Sequence, residues 1–259
     1  MNNKQSLWVE RLTIVARVVI LVFALSNVVL VVHANAARII NWLFGANQRN
    51  VDILFDVTPS IPTDYRPMMI ACTKGLLENL DENDGVSIIG ITENSFARPL
   101  ILLQGTLPAD DHPLQPRYLS ARDNLLTAWQ TRSAQIEFGG KVTDVFGAIA
   151  FASLQLERKS GDKWLIVQSD LRNSTPVLDI EHVEEIDCEK SLECLKRAGL
   201  IPNLRGVKVV ILGMHTTGKT QRYYQSLQKF VLKYFELTGA QVVTMQPDFD
   251  WVPFTENKQ

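Results

Sequence analysis

The ten residues Val51–Ser60, VDILFDVTPS, decide the fold. An apolar run of Val, Ile, Leu and Phe stops at Asp56, and two hydroxyls, Thr58 and Ser60, follow at alternate positions. Asp52 apart, the run carries bulky apolar residues, as a strand covered on both faces does. Further runs of the same kind recur downstream: GVSIIGIT, RPLILLQGTL, KWLIVQSD, GVKVVILGM and AQVVTMQ. Helical patterns lie between most of them. In RPMMIACTKGLLENLDEND the residues Met69, Ala71, Leu76, Leu77 and Leu80 fall at helical spacing. RYLSARDNLLTAWQT predicts a second helix. DVFGAIAFASLQLERKSGD predicts a third, started around Thr143 and Asp144. TQRYYQSLQKFVLKYFELTGA puts Tyr223, Leu227, Phe230, Tyr234 and Leu237 on one face. GVSIIGIT and RPLILLQGTL flank the polar tip ENSFA and so predict a hairpin. Alternating strands and helices make this an α/β chain: a mostly parallel sheet covered on both faces.

In such sheets ligands gather beyond the carboxyl ends of the strands. Asp56, Thr58 and Ser60 leave the first strand at that edge. Asp170 ends the apolar run of KWLIVQSD, and Thr143 opens a helix nearby. These are hard oxygen donors, which suit a divalent cation such as Mg2+ or Mn2+ rather than a soft or borderline metal. Two carboxylates and three hydroxyls leave such a cation incompletely neutralised and coordinated, so water or a partner's carboxylate is expected to complete it.

On these residues the chain resembles the von Willebrand factor type A (VWA) domain family with its metal-ion-dependent adhesion site (MIDAS). The family pattern, Asp-x-Ser/Thr-x-Ser followed by a Thr and then an Asp, falls on Asp56, Thr58, Ser60, Thr143 and Asp170. The likeness runs from about Val51 to Gln246. It implies a doubly wound, Rossmann-like sheet with one antiparallel edge strand, which the hairpin near residues 86–105 fits. It also implies Mg2+- or Mn2+-dependent binding of a protein ligand that donates an acidic residue to the metal, and no enzymatic activity. Two positions depart from the pattern. Thr58 stands where Ser is commoner, and Leu171 follows Asp170 where Gly is usual, which implies a differently shaped loop. A scaffold with a silent metal site, its hydroxyls merely capping, is the alternative.

Gly213-Met-His-Thr-Thr-Gly218-Lys219-Thr220 matches the phosphate-loop pattern G-x-x-x-x-G-K-[ST] after a strand and before a helix. In a nucleotide-binding protein Lys219 would meet the β- and γ-phosphates and the Thr220 hydroxyl would meet Mg2+. About 40 residues follow, too few for the further strands a nucleotide-hydrolysing core needs, and the loop at 213–220 reads as a polar connection. Asp110-Asp111-His112 reads as a solvated loop and Glu181–Glu185 as an exposed acidic face. Asn173-Ser174-Thr175 matches a glycosylation sequon.

The 259 residues are 46% hydrophobic and 21% charged, which permits a large core and excludes disorder, and the net charge of -2 gives no basic surface for nucleic acid. Lys4, Arg11 and Arg17 precede VVILVFALSNVVLVV, and Ala34-Asn35-Ala36 follows it. Residues 1–36 are thus an N-terminal hydrophobic helix that anchors the chain in a membrane, or a signal peptide that is cleaved; a buried core helix is the bland third choice. With the basic residues before the segment, either membrane assignment puts the body outside the cytoplasm. It would be tethered to a bacterial inner membrane facing the periplasm, or secreted if cleaved. Residues 37–50 are the linker and 51–259 the VWA-like domain. The three cysteines form no Cys-x-x-Cys pair; Cys188 and Cys194 could close a small loop in an oxidising compartment.

Overall fold

The computed structural model describes residues 48–109, 117–215 and 217–251. Their elements run β1 (Arg49–Asp56), α1 (Tyr65–Glu78), β2 (Gly85–Ile91), β3 (Leu100–Thr106), α2 (Arg117–Ser133), α3 (Val145–Glu157), β4 (Asp162–Gln168), α4 (Cys188–Arg197), β5 (Val207–Leu212), α5 (Gln221–Thr238) and β6 (Gln241–Gln246). The sheet order is β3-β2-β1-β4-β5-β6, with every neighbouring pair parallel except β2–β3. This is the expected doubly wound sheet with one antiparallel edge strand, and the expected hairpin supplies that edge. β1 begins at Arg49, two residues ahead of the boundary read from the sequence.

Two apolar layers cover the sheet. On one face α1 and α2 bring Met69, Leu76, Leu77, Tyr118 and Trp129 against Val51, Ile53 and Phe55 of β1. The Phe55 and Trp129 rings meet edge to face, 5.4 Å apart, and Trp129 Nε1 donates to the Ile70 carbonyl. On the other face α3, α4 and α5 cover Leu54, Ile89, Leu165, Val167, Val209 and Ile211. Phe146 of α3 packs between Phe230 and Tyr234 of α5. Small residues at Gly147, Ala148 and Ala152 let α3 lie close on β1 and β2, and nine of the 13 residues of that helix are buried.

Four details differ from the sequence reading. Ala71 of α1 is exposed and Thr73 takes the buried position, its Oγ1 donating to Gln168 Oε1 of β4. Leu237 is 52% exposed, because Thr238, four residues after Tyr234, turns inward instead. Helix α4 went unread: it is only 10 residues long and its apolar stripe is thin. It carries both Cys188 and Cys194, which are free thiols. Six positions along a helix rise about 9 Å, beyond the reach of a disulfide.

The expected membrane or signal segment at 1–36, most of the linker and Asp110-Asp111-His112 lie outside the described residues. Among the described residues no helix is long and apolar enough to cross a membrane.

Candidate functional site

The chain runs outward from β1 through β2 to β3, then crosses back to place β4 on the other side of β1. The strand order therefore reverses between β1 and β4, and the crevice beyond their carboxyl ends is where an open α/β sheet binds ligands. Asp56 is the last residue of β1, and Asp170 stands two residues after β4. Thr143 lies just before α3, whose N-terminus faces the same crevice.

One hydrogen-bonded network joins four of the five expected residues, and Asp170 stands beside it. Asp56 Oδ1 accepts from the Thr58 N–H at 2.9 Å and from Thr58 Oγ1 at 2.6 Å, a carboxylate-anchored turn that folds the loop back over the strand end. Thr58 Oγ1 lies 3.1 Å from Ser60 Oγ and accepts from Thr143 Oγ1 at 3.0 Å. The Ser60 hydroxyl also acts on the Asp170 carboxylate, lowering it against the rise that burial causes. Asp56, Thr58 and Asp170 are fully buried and Thr143 nearly so; Ser60 alone of the five is half-buried.

Several further residues hold this network in place, and of these the sequence had marked Asp144 as the start of α3. Ser169 Oγ donates to Asp56 Oδ2 at 2.6 Å and accepts from the Leu171 N–H at 3.0 Å. Thr143 is clamped through its backbone: its N–H donates to Ser174 Oγ, and its carbonyl accepts from the Ser174 N–H. Asp144 caps α3, accepting from the Gly147 N–H with one oxygen and the Ser95 N–H with the other. A Cβ at position 147 would lie 2.1 Å from Asp144 Oδ2, so this cap requires glycine. Asn173 Oδ1 accepts from the Val145 N–H at 2.9 Å while its Nδ2 donates to the Leu178 carbonyl at 2.6 Å. Asn173 is 1% exposed, so the sequon at 173–175 is closed to a glycan in the folded protein. Asp144 at the start of α3 and the adjacency Ser169-Asp170 were the readable signals among these; Asn173 and Ser174 act on backbone groups of a distant segment.

Leu171 has φ +61°, the left-handed conformation that glycine adopts without cost. The loop therefore keeps the glycine-like path that the departure at this position had put in doubt. The Leu171 side chain is buried in the α3–α5 layer, and that burial offsets the backbone strain.

Burial raises both carboxyls above the usual range, and the charge of Asp170 raises Asp56 further. Asp170 Oδ1 accepts from the Arg172 N–H at 3.0 Å, but its buried Oδ2 has no hydrogen-bond partner. The nearest cation is Arg172, with Nε 3.8 Å from Asp170 Oδ2 and 3.9 Å from Glu181 Oε2. Arg172 is held away by its Nη2 bonds to the carbonyls of His215 and Thr217. Two adjacent buried carboxylates, one with an orphaned oxygen, and three hydroxyls fit a hard divalent cation. Among the described residues no group of three or more His, Cys, Asp or Glu could hold a metal, so any metal set here draws on hydroxyls.

The 213–220 loop leaves β5 at the same rim. Lys219 Nζ bonds the Glu181 carbonyl, stands 3.5 Å from Glu181 Oε1 and lies over the Tyr223 ring. Thr220 Oγ1 caps α5 by accepting from the Tyr223 N–H. Both chemistry-bearing residues of the phosphate-loop pattern are thus engaged within the fold. Glu181 turns inward to meet Lys219, whereas His182–Glu185 are exposed as expected.

No protein-family model matches the sequence, and no curated protein is similar to it in sequence. Solved structures do share the fold. The PilB minor pilin from Streptococcus sanguinis superposes with a TM-score of 0.51 at 12% identity, over 80% of this chain and 59% of the pilin. The pilus adhesin SpaC from Lactobacillus rhamnosus GG gives 0.48 at 11% identity, over 80% of this chain and 29% of the adhesin. A von Willebrand factor type A protein from Catenulispora acidiphila gives 0.41 at 15% identity, over 75% of this chain and 43% of the other. The chain thus spans about three fifths of the pilin's length. At this identity the likeness to the pilin is one of fold.

Proposed function

We propose that this chain is a membrane-tethered, extracytoplasmic VWA-like domain that binds a protein partner through a divalent cation, and that it is not an enzyme. The observation that carries this is the convergence of Asp56, Thr58, Ser60, Thr143 and Asp170 at the crevice between β1 and β4, with a buried Asp170 oxygen that has no hydrogen-bond partner and only the Arg172 Nε, at 3.8 Å, as its cation. In this reading Asp56, Thr58 and Ser60 hold Mg2+ or Mn2+ directly, Thr143 directly or through water, and Asp170 mainly through water. The ion supplies a positive centre for the carboxylate of an acidic residue on the partner. The chain's own part is to hold its oxygens in place, through Ser169 on Asp56 and the Ser174 clamp on Thr143. Half-buried Ser60 and exposed Pro59 mark the side from which a ligand carboxylate approaches. A minor pilin built on the same fold is in keeping with a place outside the cytoplasm.

Calorimetry with Mn2+ tests this. Wild-type protein is expected to bind one ion, and Asp56→Ala to lose about 100-fold or more in affinity, because a charged ligand in a buried site is removed. Capture of a partner from solubilised membranes is expected to be abolished by EDTA. Equal Mn2+ binding by Asp56→Ala refutes the metal assignment, and capture indifferent to EDTA favours a scaffold with a silent site.

A further inference from the structure

The amino end of β1 carries a second set of oxygens, far along the sheet from the rim network. Asn50 and Asp52 project on the same face as Leu54, beneath α3 and the turn that follows it. In the β1–β2 register Asp52 stands opposite Ser87 and Asn50 opposite Gly85. Parallel neighbours lie about 4.8 Å apart and alternate residues of one strand about 6.6 Å apart, so the three side chains share one small space. All three are at least nine-tenths buried, at 3% for Asn50, 5% for Asp52 and 3% for Ser87. Asn50 Oδ1, Asp52 Oδ2 and Ser87 Oγ have no hydrogen-bond partner.

The orientation of Asn50 is fixed. Its Nδ2 donates to the Ser160 carbonyl at 2.6 Å, which turns Oδ1 toward β2. A Cβ at position 85 would lie 3.1 Å from that oxygen, so glycine there leaves the room in front of it open. Thr106 of β3, paired with Gly85, brings its Oγ1 to 3.7 Å from the same point. Buried oxygens without donors are costly unless something positive or protic meets them.

We propose that Asn50, Asp52 and Ser87 form a second cation site, at the opposite end of β1 from the rim network, taking a small monovalent cation such as sodium or potassium. One carboxylate balances one positive charge. A divalent ion would keep an uncompensated charge in a buried place, and the ammonium of Lys159, which acts on Asp52 from outside ion-pair range, disfavours it further. An all-oxygen set with a single charge excludes soft metals. The site is independent of the divalent-cation reading of the rim.

Thermal melts of the full chain at pH 8 with EDTA, in 150 mM sodium, potassium or tetramethylammonium chloride, test this at constant ionic strength. The wild-type midpoint is expected to be about 3 °C higher in sodium or potassium than in tetramethylammonium, which is too large to enter. Asp56→Ala is expected to keep that difference, while Asp52→Asn and Ser87→Ala lose it. Line broadening of the sodium-23 resonance by wild-type protein gives a readout that needs no variant to fold. Equal midpoints in the three salts, an undiminished difference in Asp52→Asn, or an unbroadened sodium line overturns the proposal. So does a response that emerges only in Lys159→Gln, which would assign the space to that amine.

Discussion

Asp52 and Asp56 are four residues apart on one strand and both buried, yet their surroundings are opposites. Asp56 accepts three hydrogen bonds from Thr58 and Ser169, and its hydroxyl neighbour Thr58 is tied in turn to Thr143 and Ser60. Asp52 has a buried oxygen with no partner, beside an unpartnered hydroxyl and amide oxygen. The difference follows from where each lies. The carboxyl end of β1 meets loops, whose backbones and short polar side chains can wrap a carboxylate. The amino end meets strands, whose backbone groups are already paired, and the carboxyl end of a helix, which offers carbonyls rather than donors. The rim meets its charge with hydroxyl and backbone donors, whereas at the amino end only the ammonium of Lys159 acts on the Asp52 carboxylate.

The largest test of that contrast is the pH dependence of stability. Burial, opposed by Lys159, raises the Asp52 carboxyl to about 7. Its folded pKa lies above its unfolded value, so the protonated form favours the folded state. Its contribution is full below about pH 4 and is lost as pH rises through 7. A shift of about three units corresponds to roughly 4 kcal/mol. In urea melts with EDTA and tetramethylammonium chloride, Asp52→Asn is expected to match wild type near pH 4. At pH 8 it should be the more stable by up to about 4 kcal/mol. Asp56 and Asp170 titrate in both proteins, so the difference isolates Asp52. Parallel pH profiles for the two proteins would place Asp52 among the satisfied carboxylates and erase the contrast.

The two ends of β1 were also unequally legible in the sequence. Asp56, Thr58 and Ser60 announce themselves because an apolar run stops at them, and Asp170 ends another run the same way. The alternation of runs and helices then fixes which edge they share. Asp52 interrupts its run without ending it, and no local pattern says whether a mid-strand carboxylate is buried or paired. Ser169, Arg172, Asn173 and Ser174 were missed as site residues for a related reason. Their partners are carboxylates, backbone N–H groups and carbonyls on other segments, which only the assembled fold brings near. Helix α4 escaped because four buried residues, Cys188, Ser191, Leu192 and Leu195, make too thin a stripe. Leu237 was placed on the wrong face because helical spacing admits two candidates for the last inward turn, and the hydroxyl of Thr238 finds the Phe235 carbonyl there.

A middle-sized test bears on how the rim is held. Leu171 occupies φ +61° between Asp170 and Arg172. Glycine would relieve about 1–2 kcal/mol of backbone strain. It would also remove a side chain that is 1% exposed, and emptying such a core position costs about 3–5 kcal/mol. Burial wins, so Leu171→Gly is expected to lower stability by about 2 kcal/mol in denaturant melts, with Mn2+ affinity little changed because the loop path is kept. A stabilised variant would mean that strain, not packing, dominates this loop.

The smallest expected effect concerns Lys219, the residue that would separate a phosphate site from an adhesion-type rim. Its ammonium is spent on the Glu181 carbonyl and carboxylate and on the Tyr223 ring, with 17% of the side chain exposed. Glu181 is 25% exposed, so water screens part of that pairing. Lys219→Ala therefore loses one partly screened ion pair, the hydrogen bond to the Glu181 carbonyl and a cation–π contact, about 1 kcal/mol together in denaturant melts. The same variant is expected to leave retention of a labelled ATP analogue at the wild-type background. Loss of a specific ATP signal on this substitution would free Lys219 from its structural pairing and move the chemistry of the rim from the β1–β4 crevice to the loop after β5. Thr220 argues against that outcome: its hydroxyl already accepts from the Tyr223 N–H at the start of α5, and magnesium would have to take it from that cap.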